Sequence, residues 1–280
     1  MEQVSKVRSF GGWQLRYAHA SSVLACDMHF SLYLPPQAEA GPVPLLTWLS
    51  GLTCSDENFV QKAGAQRAAA EHGVALLAPD TSPRGEGVAD DPEGGWDLGL
   101  GAGFYVNATE APWASHYRMY DYVLEELPQL ALEHHPLVGS AQSIFGHSMG
   151  GHGALTIALR NPDRYRSVSA FAPICAPTRC PWGEKAFGSY LGPDREAWKE
   201  HDSCELIGRS EPRLPLLVDQ GGADSFLEEQ LKPELLEQAC AQSSYPATIR
   251  MREGYDHSYF FIASFVGDHI AFHARHLRGG

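Results

Sequence analysis

Residues 143–159 read Ser-Ile-Phe-Gly-His-Ser-Met-Gly-Gly-His-Gly-Ala-Leu-Thr-Ile-Ala-Leu, and Gly146 to Gly150 within them form a Gly-x-Ser-x-Gly motif. The short apolar run before the motif predicts a buried strand, and Ala154, Leu155, Ala158 and Leu159 follow at helical spacing. Strand, sharp turn and helix is the context in which this motif presents a nucleophile. The turn forces the serine into a strained backbone, so its flanking positions must be small, and Gly146 and Gly150 meet that need. Gly151 and Gly153 allow the new helix to approach the sheet closely. Ser148 is therefore expected beyond the strand end, near the positive end of a helix and beside the Met149 amide. The competing reading is a glycine-rich turn that holds a serine by chance. Residues elsewhere in the chain must decide between them.

Outward from the motif, the pattern is strands alternating with helices. Toward the N-terminus, strands are predicted at Trp13–Tyr17, Met28–Leu34 and Pro44–Leu49, with Pro35-Pro36 and Gly41-Pro42 as turns. Antiparallel opening strands suit that third of the chain. Helix follows from Ser55 through Ala63 to His72, then a strand at Val74–Ala78, and a helix near Ser115–Leu127 leads into the motif. Beyond it, strands are expected at Ser167–Ala172, Leu214–Asp219 and near Thr248–Arg252. Helices are expected at Glu228–Gln242 and from Ser258 to about His276. The class is α/β, a mostly parallel central sheet with helices on both faces. No repeat, low-complexity tract or linker divides the chain, so residues 1–280 are expected to form one domain without a large separate cap.

The segment Asp80–Pro112 is long for a loop, and loops of that length usually serve function. It carries Trp96, Phe104 and Tyr105, with Trp113 directly after it, and these either wall a pocket or tack a surface loop down. Trp96, Phe104 and the later Trp182 are the aromatic candidates for pocket lining. Gly99-Leu-Gly-Ala-Gly103 superficially matches a nucleotide loop, but no strand precedes it and no lysine-serine pair follows.

Composition narrows the partners. The chain has 280 residues, with 34 acidic against 21 basic side chains and a formal net charge of -13. Such a field repels nucleic acid and anionic membranes, so the expected partner is a small-molecule substrate. No stretch is long and apolar enough to span a bilayer, and Met-Glu-Gln-Val-Ser-Lys lacks the apolar core of a signal peptide, which points to a cytoplasmic enzyme. The six cysteines lack disulfide-scaffold density and zinc spacing and read as free thiols.

α/β enzymes with this motif order their catalytic residues serine, acid, histidine, each on a loop after a strand. Asp224 ends the turn after the strand at Leu214–Asp219, and His257 ends Gly254-Tyr-Asp-His after the next strand. Asp219 and Asp256 compete for the acid. The first is expected to satisfy backbone donors, and the second, chain-adjacent to His257, to point elsewhere. His269 and His273 lie four apart, as a metal pair could, but no acidic-histidine signature surrounds them; they read as a solvated helix face, and no metal is expected. His147 reads as structural, with its ring turned away from the Ser148 hydroxyl. An oxyanion needs two donors, expected from the Met149 amide and from Leu52, whose amide a tight turn at Gly51 would free. Cys54 either lines the site or serves as a small buried hydrophobe.

Four longer stretches, Leu49-Ser-Gly-Leu-Thr-Cys-Ser-Asp-Glu-Asn58, Gly101-Ala-Gly-Phe-Tyr-Val-Asn-Ala-Thr109, Gly146-His-Ser-Met-Gly-Gly-His-Gly-Ala154 and Gly254-Tyr-Asp-His-Ser-Tyr-Phe-Phe261, resemble the S-formylglutathione hydrolases, the esterase D group. The resemblance runs over nearly the whole chain and includes Ala63-Gly-Ala-Gln-Arg67 and His116-Tyr-Arg-Met-Tyr-Asp121. It implies an α/β-hydrolase fold, a catalytic triad of Ser148, Asp224 and His257, and an oxyanion hole from the Leu52 and Met149 amides. It also implies a cytoplasmic, often homodimeric enzyme that needs no cofactor and performs the second step of glutathione-dependent formaldehyde removal. Ser225 and Gly95-Trp96 depart from the family pattern and bear on fine substrate preference. The same machinery would serve a general short-chain carboxylesterase, and a catalytically dead fold used for protein binding is the rival from another class. A glutathione site needs a local cation, for which Lys62, Arg84, Arg118 and Lys185 are the candidates.

Overall fold

In the computed structural model, which describes residues 1–278, nine strands join in one sheet in the order β1-β2-β3-β5-β4-β6-β7-β8-β9. They are β1 Glu2–Ser9, β2 Gly12–Ser21, β3 Cys26–Leu34, β4 Val43–Leu49, β5 Ala75–Pro79, β6 Leu137–His147, β7 Val168–Phe171, β8 Leu216–Gly221 and β9 Ala247–Arg252. β1 to β3 pair antiparallel and meet β5 antiparallel, whereas β4 to β9 form the parallel body. The Pro44–Leu49 strand thus belongs to the parallel body and not to the antiparallel opening. β5 is buried along its whole length, as expected of a strand covered on both faces.

Successive side chains on a strand point to opposite faces, and β7 shows which helix covers which face. Ser169 bonds to His269 and His273 on the closing helix Tyr259–Arg278. Its neighbour Ala170 faces Gly151 on the elbow helix Met149–Arg160, where a Cβ added to the glycine would stand 3.3 Å from that of Ala170. The two helices therefore sandwich the sheet. Every residue of the elbow helix from Met149 to Leu159 is buried, which explains its run of glycine, alanine and aliphatic side chains. Between β4 and the elbow the core is aromatic. Trp48 stacks on Phe59 at 4.1 Å and meets Phe145 edge-on at 4.7 Å, and each such pair contributes about 1 kcal/mol beyond its buried area.

Several elements differ from the sequence expectation. β1 is exposed along nearly its whole length and shows no alternation of apolar residues, so nothing in its composition marks it as a strand. The helix expected at Ser115–Leu127 starts later, at Met119, and runs on through a π-helical turn at Tyr122–Glu126 to His134. The helix expected at Glu228–Gln242 is two pieces. A π-helical turn Leu227–Leu231 ends at Lys232, whose φ is +50°, and Pro233 opens the helix Pro233–Ser243. Pro233 has no amide to continue the first piece, so the break is built into the sequence. The excursion between β7 and β8 was not anticipated. It contains the helix Pro181–Tyr190 and the short helical segments Arg195–Trp198 and Ser203–Leu206.

Candidate active site

The elbow has the strained geometry that its glycines imply. Ser148 sits at φ +58° and ψ −121°, outside the regions that L-residues favour. Its amide donates to the Phe171 carbonyl at 3.0 Å, and its own carbonyl accepts from His152 at 2.9 Å, so the conformation is fixed from both sides. A Cβ on Gly146 would collide with the Gly150 backbone, and one on Gly150 with the Leu49 carbonyl. No larger residue fits at either position while the turn and β4 stay in place.

The loops after β8 and β9 are knit together and bring Asp224 to His257. The Gly222 amide donates to the Arg252 carbonyl at 2.8 Å and the Ala223 amide to the Tyr255 carbonyl at 2.9 Å. Nδ1 of His257 lies 2.5 Å from Oδ2 of the buried Asp224. Oδ1 of that carboxylate accepts from the Phe226 amide at 2.9 Å, and Oδ2 also accepts from Gln220 Nε2 at 3.3 Å. With Nδ1 engaged, the second ring nitrogen of His257 is left for the pocket. Ser148 and His257 line one cavity of about 340 Å³. Among the described residues the Ser148 hydroxyl has no hydrogen-bond partner.

The competing acids lie elsewhere. Asp219 accepts from Arg250 at 2.6 and 2.8 Å, from Arg252 at 3.2 Å and from His269 at 3.2 Å, so side chains satisfy it, not the backbone donors expected. Burial alone would raise its carboxyl, but the bonds from His269 and Arg250 outweigh that and hold it well below the usual range. Asp256 accepts from the Ser258 amide and hydroxyl, whereas the carboxylate bonded to His257 Nδ1 is that of Asp224.

The loop Ser50–Cys54 passes directly over Ser148. A Cβ on Gly51 would lie 3.1 Å from that of Ser148. Thr53 takes a φ of +66°, and its amide donates to the Gly101 carbonyl at 2.9 Å. Tyr105 donates to the Ser50 carbonyl at 2.8 Å, while Thr81 and Arg84 donate to the Cys54 carbonyl at 2.5 and 3.1 Å. The long loop after β5 is thus a wedge that fixes the backbone facing Ser148. No acceptor among the described residues takes the Leu52 or the Met149 amide.

Of the aromatic candidates, Trp96 and Trp182 line the cavity and meet edge to face at 5.5 Å. Phe104 does not line it. It is fully buried below, where its amide approaches Met149 Sδ at 3.3 Å and its carbonyl accepts from His152 Nε2 at 3.0 Å. Cys54 lines the cavity, and burial raises its thiol pKa, partly offset by the nearby Lys62 ammonium. His147, read from the sequence as structural, also lines the cavity. Its ring centroid stands 4.4 Å from that of His257, and its buried Nε2 has no partner among the described residues. Burial and His257 hold His147 well below the ordinary imidazole range. Phe226 and Tyr259 complete the wall and were missed, although each follows a candidate residue by two positions.

His269 and His273 are not a solvated face. Both are fully buried. His269 Nδ1 bonds Ser169 at 2.8 Å, and His273 bonds Ser167 at 2.8 Å and Ser169 at 2.7 Å. They form a polar seam between the closing helix and the sheet. Among the described residues no group of three or more histidine, cysteine or acidic side chains could hold a metal ion. Among the described residues no helix is long and apolar enough to cross a membrane.

A strained elbow serine, a histidine held by a buried aspartate and an α/β sheet with its strand ends at the pocket define the class as an α/β-hydrolase. The esterase family model matches residues 21–272. The chain is 54% identical over 279 residues to the S-formylglutathione hydrolases of Rattus norvegicus and of Mus musculus, covering 99% of this chain and of each relative. It also superposes on an S-formylglutathione hydrolase from Agrobacterium tumefaciens with a TM-score of 0.96 at 50% identity, covering 99% of this chain and 100% of that one. The chain belongs to the S-formylglutathione hydrolase family of esterases.

Proposed function

We propose that the chain hydrolyses S-formylglutathione to glutathione and formate, with Ser148 as nucleophile, His257 as general base and acid, and Asp224 as the group that orients and stabilises His257. The observation that carries this reading is the Asp224–His257 contact of 2.5 Å at a cavity that Ser148 also lines. His257 takes the Ser148 proton as the oxygen attacks the thioester carbonyl, and the Leu52 and Met149 amides stabilise the oxyanion. The carbon–sulfur bond breaks, glutathione leaves with that proton, and formyl-serine remains. Water then gives a proton to His257, adds to the formyl carbon and releases formate, restoring the Ser148 hydroxyl. The same reading takes residues 1–280 as one domain, acting as a cytoplasmic homodimer; light scattering at twice the monomer mass of 30.6 kDa is the expected result.

The test is kcat/KM for S-formylglutathione beside p-nitrophenyl acetate and butyrate. The thioester is expected to lead by several orders of magnitude, and near-equal values would reduce the chain to a general short-chain esterase. Ser148→Ala is expected to remove turnover by on the order of 10⁶-fold with the fold intact. A loss of only about tenfold would overturn the assignment.

A further inference from the structure

We infer that Lys62 holds the carboxylates of the glutathionyl leaving group at the pocket mouth and sets the preference for an anionic over a neutral substrate. The inference rests on the activity proposed above and names the residue that makes it selective. Glutathione carries two carboxylates against one ammonium group, whereas the protein's formal net charge is -13. The overall field therefore opposes this substrate, and a local cation has to reverse it at the site.

Geometry separates the four candidate cations. Arg84 is committed to Asp80 at 2.9 Å, Arg118 to Asp121 at 2.6 Å, and Lys185 to Asp91 and Asp97 at 2.9 and 2.5 Å. Lys62 forms no ion pair among the described residues, and it alone of the four lines the cavity of Ser148 and His257. No aspartate or glutamate lines that cavity, so nothing within it competes for the ammonium. Its Nζ stands 5.7 Å from the Tyr259 ring, two residues beyond His257, which places the charge on the wall that carries the base. Asn58, one helical turn earlier, lines the same cavity and offers an amide on the same face. A lysine suits the task because its charge rides on a flexible stem and can follow a carboxylate on an extended peptide.

Lys62 is remote from the reacting carbonyl and holds ground state and transition state alike, so its loss should appear in KM and leave kcat nearly intact. For Lys62→Ala the ratio of kcat/KM for S-formylglutathione to that for p-nitrophenyl acetate is expected to fall about fivefold, the upper range for an exposed ion pair. Lys62→Glu is expected to lower it further, on the order of tenfold or more, by placing like charges together. The wild-type ratio should decline as ionic strength rises, whereas that of Lys62→Ala should hold or rise as salt screens the protein's own negative field.

The experiment measures these ratios with the inhibition constant of unreactive S-methylglutathione against ester hydrolysis, in the wild type and both variants. Weaker inhibition and a lower ratio in the variants uphold the inference. An unchanged ratio and inhibition constant overturn it, and leave the proposed activity standing if the wild type still prefers the thioester. A wild type that shows no such preference, yet binds S-methylglutathione through Lys62, overturns the proposed activity and keeps the anchor. A wild type that S-methylglutathione does not inhibit overturns the anchor as well.

Discussion

His257 presents Nδ1 to Asp224 Oδ2 at 2.5 Å while its ring centroid stands 4.4 Å from that of His147. The carboxylate fixes which nitrogen carries the proton and which faces the pocket. Asp224→Asn keeps the shape but can hold the wrong tautomer. The expected result is a loss of kcat on the order of 10⁴-fold, with thermal unfolding nearly unchanged. A loss below about tenfold would remove Asp224 from the triad.

Gly51 is the point where the loop over the nucleophile has no room. A Cβ there would lie 3.1 Å from the Ser148 Cβ and 3.2 Å from His147 Nδ1. Gly51→Ala should shift the loop by a fraction of an ångström and misplace the Leu52 amide. Activity is expected to drop on the order of 10²-fold while the melting temperature hardly moves. Full activity in that variant would show that the Leu52 amide does not serve the oxyanion.

Cys54 sits on the cavity wall with a thiol that burial pushes up. A bulky maleimide is expected to slow the enzyme by filling the pocket, and Cys54→Ser should resist it. The thiol's raised pKa puts the midpoint of the alkylation rate above that of an ordinary cysteine, about 8.5. Equal inhibition of Cys54→Ser would place the sensitive thiol elsewhere.

The seam below β7 makes stability depend on pH. Burial holds both His269 and His273 below the ordinary imidazole range, His273 the further. Below about pH 6.5 the unfolded chain therefore binds protons that the folded one refuses, and stability falls as pH drops from there toward the folded values. Each such histidine contributes up to about 1.4 kcal/mol per pH unit. The urea midpoint is expected to decline from pH 7 to pH 5, and His273→Gln should decline less steeply over that range. An identical slope would mean that His273 is protonated as readily in the folded protein as in the unfolded one.

The elbow was legible because its glycines have no substitute, and Asp224 and His257 because ligands collect where parallel strands end. The seam was not. His269 and His273 look like any polar helix face until Ser167, just before β7, Ser169 on β7 and Asp219 on β8 meet them from 50 to 106 positions away along the chain. Phe104 failed for a related reason. An aromatic in a long loop has the same composition cue whether it walls a pocket or wedges beneath one, and its burial is decided by Met149 and His152. β1 gave no signal because an exposed edge strand buries neither face. Lys62 was one of four equivalent cations until the partners of the other three were seen.

The loop over the nucleophile, the elbow and the two loops behind it also fix an order of events during synthesis. Ser50–Cys54 and Ser148 lie ahead of Asp224 and His257 in the chain, and the buried histidines that lock the sheet's far face come later still, at 269 and 273. The residues of the elbow are therefore made before the acid and base proposed to act on Ser148, and the seam of His269 and His273 beneath β7 is made last.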